Sequence, residues 1–329
     1  MDARGKKAVV IPEVVLSSGK KMPVLGFGTG VFGKTPPAQT LALILLDAIE
    51  LGYRHFDTAA LYGTEEAVGL AVAQALERGL VKSRDEFFIT SKLWCPDAHH
   101  DLVLPALKST LQRLGLEYVD LYLIHWPVRM KPGTTGVPTS KDVLLPFDIM
   151  GTWEAMEECS RLGLAKSIGV SNFGTKKLSQ ILDNGTIPPA VNQVEMNPSW
   201  QQEKLRDYCK GKGIHVTAWS PLGFYGAAAW ATKPLIDYAI IKDIAAAKGK
   251  SVAQVILRSI IQQGDVSAIS RSFNKERMKD NAQIFDWELT EDEMNKIKEI
   301  PQRRLNAGDF FVSEDGQYKS LDDLWDGNP

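Results

Sequence analysis

Along the chain, short apolar runs alternate with longer stretches in which apolar residues return every three or four positions. Residues 24–28 lead into a helical 40–51, 54–57 into 64–78, 87–92 into 101–114, and 119–125 into 151–162. The second half repeats the scheme, with 165–170 before 175–182, 190–195 before 201–211, 215–219 before 242–248, and 266–271 before 275–285. Short apolar runs bounded by turn residues predict strands, and a 3.6-residue period predicts helices. Because a helix follows each strand, the strands are expected to lie parallel in βαβ units. Eight units within about 260 residues predict an α/β fold of the closed (β/α)8 type, a TIM barrel, in preference to an open doubly wound sheet.

Ahead of the first unit, apolar runs at 13–16 and 22–25 flank Ser17-Ser-Gly-Lys-Lys21 and predict a hairpin that plugs the barrel bottom. Two loops, 127–150 and 223–237, exceed the usual connection length, which in a compact domain marks functional or disordered segments. The tail, 301–329, carries Phe310, Phe311, Tyr318 and Trp325. It is too aromatic for a solvated linker and is expected to fold over the barrel mouth. The whole chain, 1–329, reads as one domain.

With 329 residues, 44% of them apolar and 24% charged, the chain can bury one large core. A net charge of −2, with basic runs short and broken by acids, leaves no footprint for nucleic acid or an acidic membrane. Cys95, Cys159 and Cys209 are few, odd in number and far apart, which argues against a disulfide framework and for a reducing compartment. No apolar run approaches the roughly 18 residues of a membrane span, and the apolar stretch before Pro12 is too short for a signal peptide. The expectation is a soluble cytoplasmic monomer whose partner is a small molecule.

In a barrel of this kind the C-terminal strand ends build the active site. Asp57, Lys92 and His125 stand there on the second, third and fourth strands, and Tyr62 follows Asp57 by five residues. A phenol, whose ordinary pKa is about 10, is a usable proton donor at neutral pH only when that value is lowered. A neighbouring ammonium lowers it by favouring the phenolate, and a carboxylate can hold the ammonium in place. Singly, each residue has a structural explanation: packing for Tyr62, a solvated strand end for Lys92, a helix cap for Asp57, a core imidazole for His125. Together they read as a proton-delivery device. Asn172, Trp219 and Arg271 reach the same mouth from strands five, seven and eight, and Gln193 lies within the sixth.

Gly28-Thr-Gly-Val-Phe-Gly-Lys-Thr35 matches the P-loop pattern GxxxxGK[ST], and Gly28, Gly30 and Gly33 also satisfy GxGxxG. Both motifs work by opening a helix whose first N–H groups face phosphate. Here Pro36 and Pro37 follow at once without an N–H, so a nucleotide triphosphatase is disfavoured. The glycines instead let the backbone turn tightly or a ligand come close. Cys95, Asp97, His99, His100 and Asp101 have the composition of a metal nest, but Pro96-Asp97 reads as a helix start and adjacent His side chains turn poorly to one ion. No metal is expected, and His99 and His100 are read as rim residues.

The motifs around these residues are specific. They are Met-Pro-Val-Leu-Gly-Phe-Gly-Thr from Met22, Gly-Tyr-Arg-His-Phe-Asp-Thr-Ala-Ala-Leu-Tyr-Gly from Gly52, Leu-Tyr-Leu-Ile-His-Trp-Pro from Leu121, Ile-Gly-Val-Ser-Asn-Phe from Ile168 and Asn-Gln-Val-Glu-Met-Asn-Pro from Asn192. They resemble those of the aldo-keto reductases over nearly the whole chain. The resemblance implies that Asp57, Tyr62, Lys92 and His125 are that family's catalytic tetrad, with Tyr62 as general acid, and that NADPH lies across the barrel mouth. Ser-Lys-Leu-Trp-Cys-Pro-Asp-Ala-His from Ser91, Leu-Leu-Pro-Phe-Asp from Leu144 and Tyr-Lys-Ser-Leu-Asp-Asp-Leu-Trp-Asp-Gly from Tyr318 are similar to segments of plant reductases of secondary metabolism. This implies reduction of a ketone or aldehyde to an alcohol on an alkaloid, polyketide or mugineic-acid-type intermediate.

Carried over position by position, the resemblance places Gly28, Thr29 and Asp57 against the cofactor and lets Ser171, Asn172 and Gln193 hold its carboxamide. Trp219 would stack on the nicotinamide where many relatives place Tyr, and Ser220 and Leu222 would flank the pyrophosphate. Arg271, standing where Lys is usual, would grip the adenosine 2′-phosphate and adenine with Ser272, Phe273, Arg277 and Asn281. A guanidinium suits that task because it binds phosphate through two hydrogen bonds and stacks on a purine. Substrate is expected among Val31, Phe32, Trp94, His125 and Trp126, with parts of the long loop and tail. The competing readings are a non-catalytic cofactor-binding scaffold and a broad-range aldehyde detoxification reductase.

Overall fold

The computed structural model describes residues 9–31, 33–223 and 234–327. A hairpin of β1 (Glu13–Val15) and β2 (Lys21–Pro23) comes first, then β3 (Leu25–Gly28) and α1 (Ala38–Leu51). β4 (His55–Asp57) with α2 (Glu65–Glu77) and β5 (Phe88–Leu93) with α3 (Val103–Leu114) lead to β6 (Val119–Ile124). A small hairpin, β7 (Arg129–Met130) and β8 (Leu144–Leu145), then precedes α4 (Ile149–Arg161). β9 (Ala165–Ser171), α5 (Thr175–Asn184), β10 (Val191–Glu195), α6 (Glu203–Gly211) and β11 (His215–Trp219) resume the alternation. α7 (Ala239–Lys248), α8 (Val252–Ile261), β12 (Val266–Ser270), α9 (Lys275–Ala282), α10 (Glu291–Lys298) and α11 (Leu321–Leu324) complete it. Strands β3, β4, β5, β6, β9, β10, β11 and β12 pair in parallel in that order, and β12 closes on β3. This is the expected (β/α)8 barrel.

Strand parity decides what the barrel encloses, since successive side chains point to opposite faces. On β5, Phe88, Thr90 and Lys92 point inward: Phe88 packs with Leu121, Thr90 Oγ1 lies 3.1 Å from His55 Nε2, and Lys92 meets Asp57. Ser91 faces outward and donates to Glu65 of α2 at 2.6 Å. On β6, Leu121 and Leu123 point inward while Tyr122 and Ile124 join the core between strands and helices. His125 follows with inward parity. Gly26 of β3 makes room for this interior, because a Cβ there would lie 2.9 Å from the His55 ring.

The β1–β2 hairpin plugs the bottom. Leu16 and Met22 are buried against Phe88, Leu121, Leu123, Ala190 and Val191, of which Phe88 and Val191 begin their strands and Ala190 precedes one, and Ser18 Oγ lies 2.8 Å from Ser167 Oγ of β9.

Besides the single-turn α11, two helices, α8 and α10, lie where the apolar pattern predicts none. α8 is buried at Val255, Ile256, Leu257, Ser259, Ile260 and Ile261, and it follows α7 with no strand between them, where the alternation of strands and helices calls for no second helix. α10 buries only Ile297, so its apolar stripe is too thin. Both open with a capping box, Ser251 with Gln254 and Thr290 with Glu293, which is the local signal that marks them. The long loop 127–150 holds the β7–β8 hairpin, and most of the second long loop, 224–233, lies outside the described residues. Among the described residues no helix opens between Gly28 and Ala38, which Pro37 precedes, so the P-loop-like letters open no helix of their own. No helix among the described residues is long and apolar enough to cross a membrane.

Met22→Ala should lower the unfolding free energy by roughly 2–5 kcal/mol, the usual result of truncating a fully buried Met. Urea denaturation measures it, and a change within about 0.5 kcal/mol would show that the hairpin is not part of the cooperative unit.

Candidate active site

The inward parity of β4, β5 and β6 brings Asp57, Lys92 and His125 to one mouth, and the turn Ala60–Tyr62 carries the phenol over them. Lys92 Nζ, fully buried, donates to Asp57 Oδ1 at 2.6 Å and to the Thr58 carbonyl at 3.0 Å. It lies 5.0 Å from the centroid of the Tyr62 ring. Tyr62 OH is 3.3 Å from His125 Nε2, with the two rings edge to face. Gly30 permits this placement, because a Cβ there would come within 3.2 Å of the Tyr62 ring. Behind it, Thr29 Oγ1 donates to the Asp57 carbonyl at 3.0 Å and meets Thr64 Oγ1 at 2.7 Å, which fixes the chain on both sides of the turn.

Burial lowers the pKa of His125 well below its ordinary value and Lys92 pushes it the same way, so the imidazole is neutral. Burial also works against the Lys92 ammonium, but Asp57 and Tyr62 outweigh it and raise the value. Tyr62 departs from the expectation of a lowered phenol. Lys92 does pull its pKa down, yet burial raises it further, and the outcome is a net rise in the cofactor-free protein.

The residues expected to hold a carboxamide also converge. Gln193 Nε2 donates to Asp57 Oδ2 at 2.8 Å, and Ser171 Oγ donates to the Gln193 carbonyl at 2.7 Å. Asn172, at the positive φ of 63°, donates through Nδ2 to the His125 carbonyl at 3.0 Å and to Ser171 Oγ at 3.1 Å. Trp219, expected as a stacking ring, also donates its indole N–H to Asn172 Oδ1 at 3.0 Å, a bond the sequence pattern gives no sign of. Ser220 follows at φ 48° and Leu222 packs partly buried against the core.

At the eighth strand, β12 ends one residue before Arg271, whose guanidinium lies 5.3 Å over the Phe273 ring. Arg277 Nε reaches Ser272 Oγ at 3.4 Å, and Asn281 is buried in α9. Lys275 pairs instead with Asp47 and Glu50. Among the described residues neither Arg271 nor Arg277 has a carboxylate partner.

Over the tetrad, the Trp94 ring stands 5.2 Å from that of His125 and its N–H donates to Gly136 of the long loop. Trp126 packs on Phe310, Phe311 and Trp325 of the tail, so the tail folds back onto the barrel rather than running as a linker. Val31 is half-buried, and Phe32 lies outside the described residues. The residues with a metal-like composition scatter: His99 Nε2 bonds the Met130 carbonyl at 2.8 Å, His100 faces Glu154, and Cys95 is buried with its thiol pKa raised by that burial.

Glu195, absent from the expected site, is a buried carboxylate that takes the N–H groups of Leu305 and Asn306, each at 2.9 Å, and so anchors the start of the tail. It shares inward parity with Gln193, which is the signal that could have found it.

The Aldo/keto reductase family model matches residues 24–302. Rhazimal reductase 2 of Alstonia scholaris is 58% identical over 98% of this chain and 99% of its own length. Deoxymugineic acid synthase 1-B of Triticum aestivum is 56% identical over 93% of this chain and 96% of its own. Among solved structures, the Bombyx mori aldo-keto reductase in complex with NADP superposes with a TM-score of 0.83 at 38% identity, covering 91% of this chain and 95% of that one. The barrel, the motifs and these matches together show that the chain belongs to the aldo/keto reductase family and is an oxidoreductase.

Proposed function

We propose that the protein uses NADPH to reduce a ketone or aldehyde to an alcohol in plant specialised metabolism, with Tyr62 as general acid. The observation that carries the reading is the convergence of a phenol, an ammonium, a carboxylate and a neutral imidazole at one mouth, with Tyr62 OH 3.3 Å from His125 Nε2 and Lys92 Nζ 2.6 Å from Asp57. The plant relatives named as a rhazimal reductase and a deoxymugineic acid synthase support the metabolic setting. The aromatic wall of Trp94, Trp126 and Phe310 suits a ring-bearing carbonyl.

The chain fits the dinucleotide at both ends. Arg271 and Arg277, which meet no carboxylate among the described residues, can turn to a 2′-phosphate, with Ser272, Phe273 and Asn281 beside them. At the mouth, Ser171, Asn172 and Gln193 present an amide-reading set beside the tetrad, with Trp219, Ser220, Leu222, Gly28 and Thr29 around it. When bound, NADPH supplies the hydride that adds to the carbonyl carbon.

The chain's own residues handle the oxygen. His125 is neutral and its Nδ1 meets no partner among the described residues, so the proton is better placed on Nε2, because a bare buried lone pair costs less than a bare N–H. From Nε2 it donates to the substrate oxygen and fixes its approach to Tyr62. Tyr62 gives its O–H proton to the oxygen as negative charge develops there, and Lys92 stabilises the phenolate left behind. Asp57 holds Lys92 in place.

Tyr62→Phe should keep NADPH affinity by fluorescence titration while turnover drops by about 10²–10⁴-fold; full turnover would refute its role as acid. Arg271→Ala should raise KM for NADPH much more than for NADH, and equal effects on both would exclude a 2′-phosphate contact. A general acid works protonated, so activity is present below the Tyr62 pKa and is lost as pH rises through it. The reduction rate is therefore expected to stay level between about pH 6 and 8, without a step at the ordinary histidine value, and to fall only in the alkaline range. A step near pH 6.5 that disappears in His125→Gln would contradict a neutral His125.

A further inference from the structure

The chain after Asn172 turns at once into α5, and this helix opens without a side-chain cap of its own, because Gly174 occupies the N-cap. Its first free N–H groups are taken from the far end of the chain. Asp326 Oδ2 accepts from the backbone N–H of Lys176 at 3.0 Å and of Lys177 at 3.1 Å, a capping geometry that favours a carboxylate. Asp326 Oδ1 pairs with Lys177 Nζ, which also donates to the carbonyls of Asp323 at 3.1 Å and Leu324 at 3.0 Å. Both side chains of the pair are nearly closed off from water, at 6% and 7% exposure. Asp326 is held at φ 59°, a left-handed conformation that non-glycine residues rarely keep unless their surroundings impose it. Gly174 has φ −82° and could accept any side chain, yet a Cβ there would collide with the Asp326 carboxylate.

Buried ion pairs contribute little net stability relative to apolar packing, because desolvation offsets their attraction. Their strength lies in fixing one arrangement. What this one fixes is visible in the rings beside it. Trp325 donates to the Ala307 carbonyl at 2.7 Å and lies 5.6 Å from Trp126; Trp126 is 5.0 Å from Phe311, Phe311 is 6.3 Å from Trp94, and Trp94 is 5.2 Å from His125. An unbroken run of ring contacts thus joins the ion pair to the imidazole above the reacting carbonyl.

We propose that Asp326, Lys177 and Gly174 form a latch that sets the substrate range of the enzyme by seating the aromatic tail against Trp126. The three are positioning residues, and the inference rests on the carbonyl reduction proposed above. With the latch closed, the wall presents one fixed shape to a large ring-bearing carbonyl. With it open, such a substrate loses its wall, while a small aldehyde still meets Tyr62 and His125.

Three changes in the full-length chain open the latch by different means. Asp326→Asn removes the charge, Lys177→Met removes its partner but keeps the apolar stem, and Gly174→Ala wedges the carboxylate off the helix without altering any charge. Hydrogen exchange of the amides in 305–327 reports tail seating. The kcat/KM values for 4-nitrobenzaldehyde and for the tricyclic 9,10-phenanthrenequinone, both with NADPH, report the pocket. Each variant should speed tail exchange and shift the ratio of the two values about tenfold toward the small aldehyde, through KM for the quinone, with NADPH affinity unchanged. Asp326→Asn combined with Lys177→Met should be no worse than either alone, as expected of one shared interaction. Unchanged tail exchange, or equal losses for both carbonyls, would overturn the latch. Failure of the unaltered enzyme to oxidise NADPH with either carbonyl would instead refute the reduction itself.

Discussion

A buried ammonium persists in an apolar interior only against a fixed countercharge, and the barrel mouth is organised around meeting that requirement for Lys92. Asp57 supplies the countercharge through one oxygen and the Thr58 carbonyl takes a second proton of the ammonium. The other Asp57 oxygen takes Gln193 Nε2, so a single carboxylate ties β4 to β5 and to β10 across the barrel. The orientation of the amide proposed to read the cofactor is therefore not independent of the group that tunes the proton donor. Asn172 makes a second such tie, since its side chain spans the His125 carbonyl, Ser171 and the Trp219 indole. The proposed cofactor seat and proton donor form one polar network, enclosed below by the apolar plug of Leu16 and Met22.

The same burial that organises the network works against the chemistry proposed for it. It makes His125 neutral, which suits a hydrogen-bond donor, but it also raises Tyr62, which makes a phenol more reluctant to release its proton. Lys92 counters the second effect and sharpens the first, so one ammonium placed beside two rings serves both. A Lys exposed at the strand end could do neither, because water would screen it.

What was legible in the sequence follows from how local each signal is. The eight strands and the inward placing of Asp57, Lys92 and His125 depend on short-range apolar pattern and parity, and both are written in consecutive residues. α8 escaped because it follows α7 without an intervening strand, where the alternation calls for no second helix, although its capping box was present. The Trp219 bond to Asn172 and the Asp326 cap on α5 join residues far apart in the chain, and no local pattern encodes which pairs meet. Glu195 sat in a quoted motif, but a carboxylate at a strand end has many uses, and its partners are backbone N–H groups that composition cannot reveal. The direction of the Tyr62 shift was likewise hidden, since it depends on the balance between desolvation and one neighbouring charge.

β10 carries alternation through three separate tasks. Its inward positions are Val191 on the plug, Gln193 on Asp57 and Glu195 on the tail backbone, while Asn192 bonds the Phe173 carbonyl and Val194 packs toward the helices. Bottom seal, the amide proposed to face the cofactor, and tail anchor are thus spaced along one strand like marks on a ruler, two residues apart. A frame of that kind tolerates substitution at a mark but not a change of length, because a one-residue insertion would turn every mark to the opposite face at once. In this enzyme the evolution of new pockets is therefore channelled into loops and tail, where length can vary without disturbing the ruler.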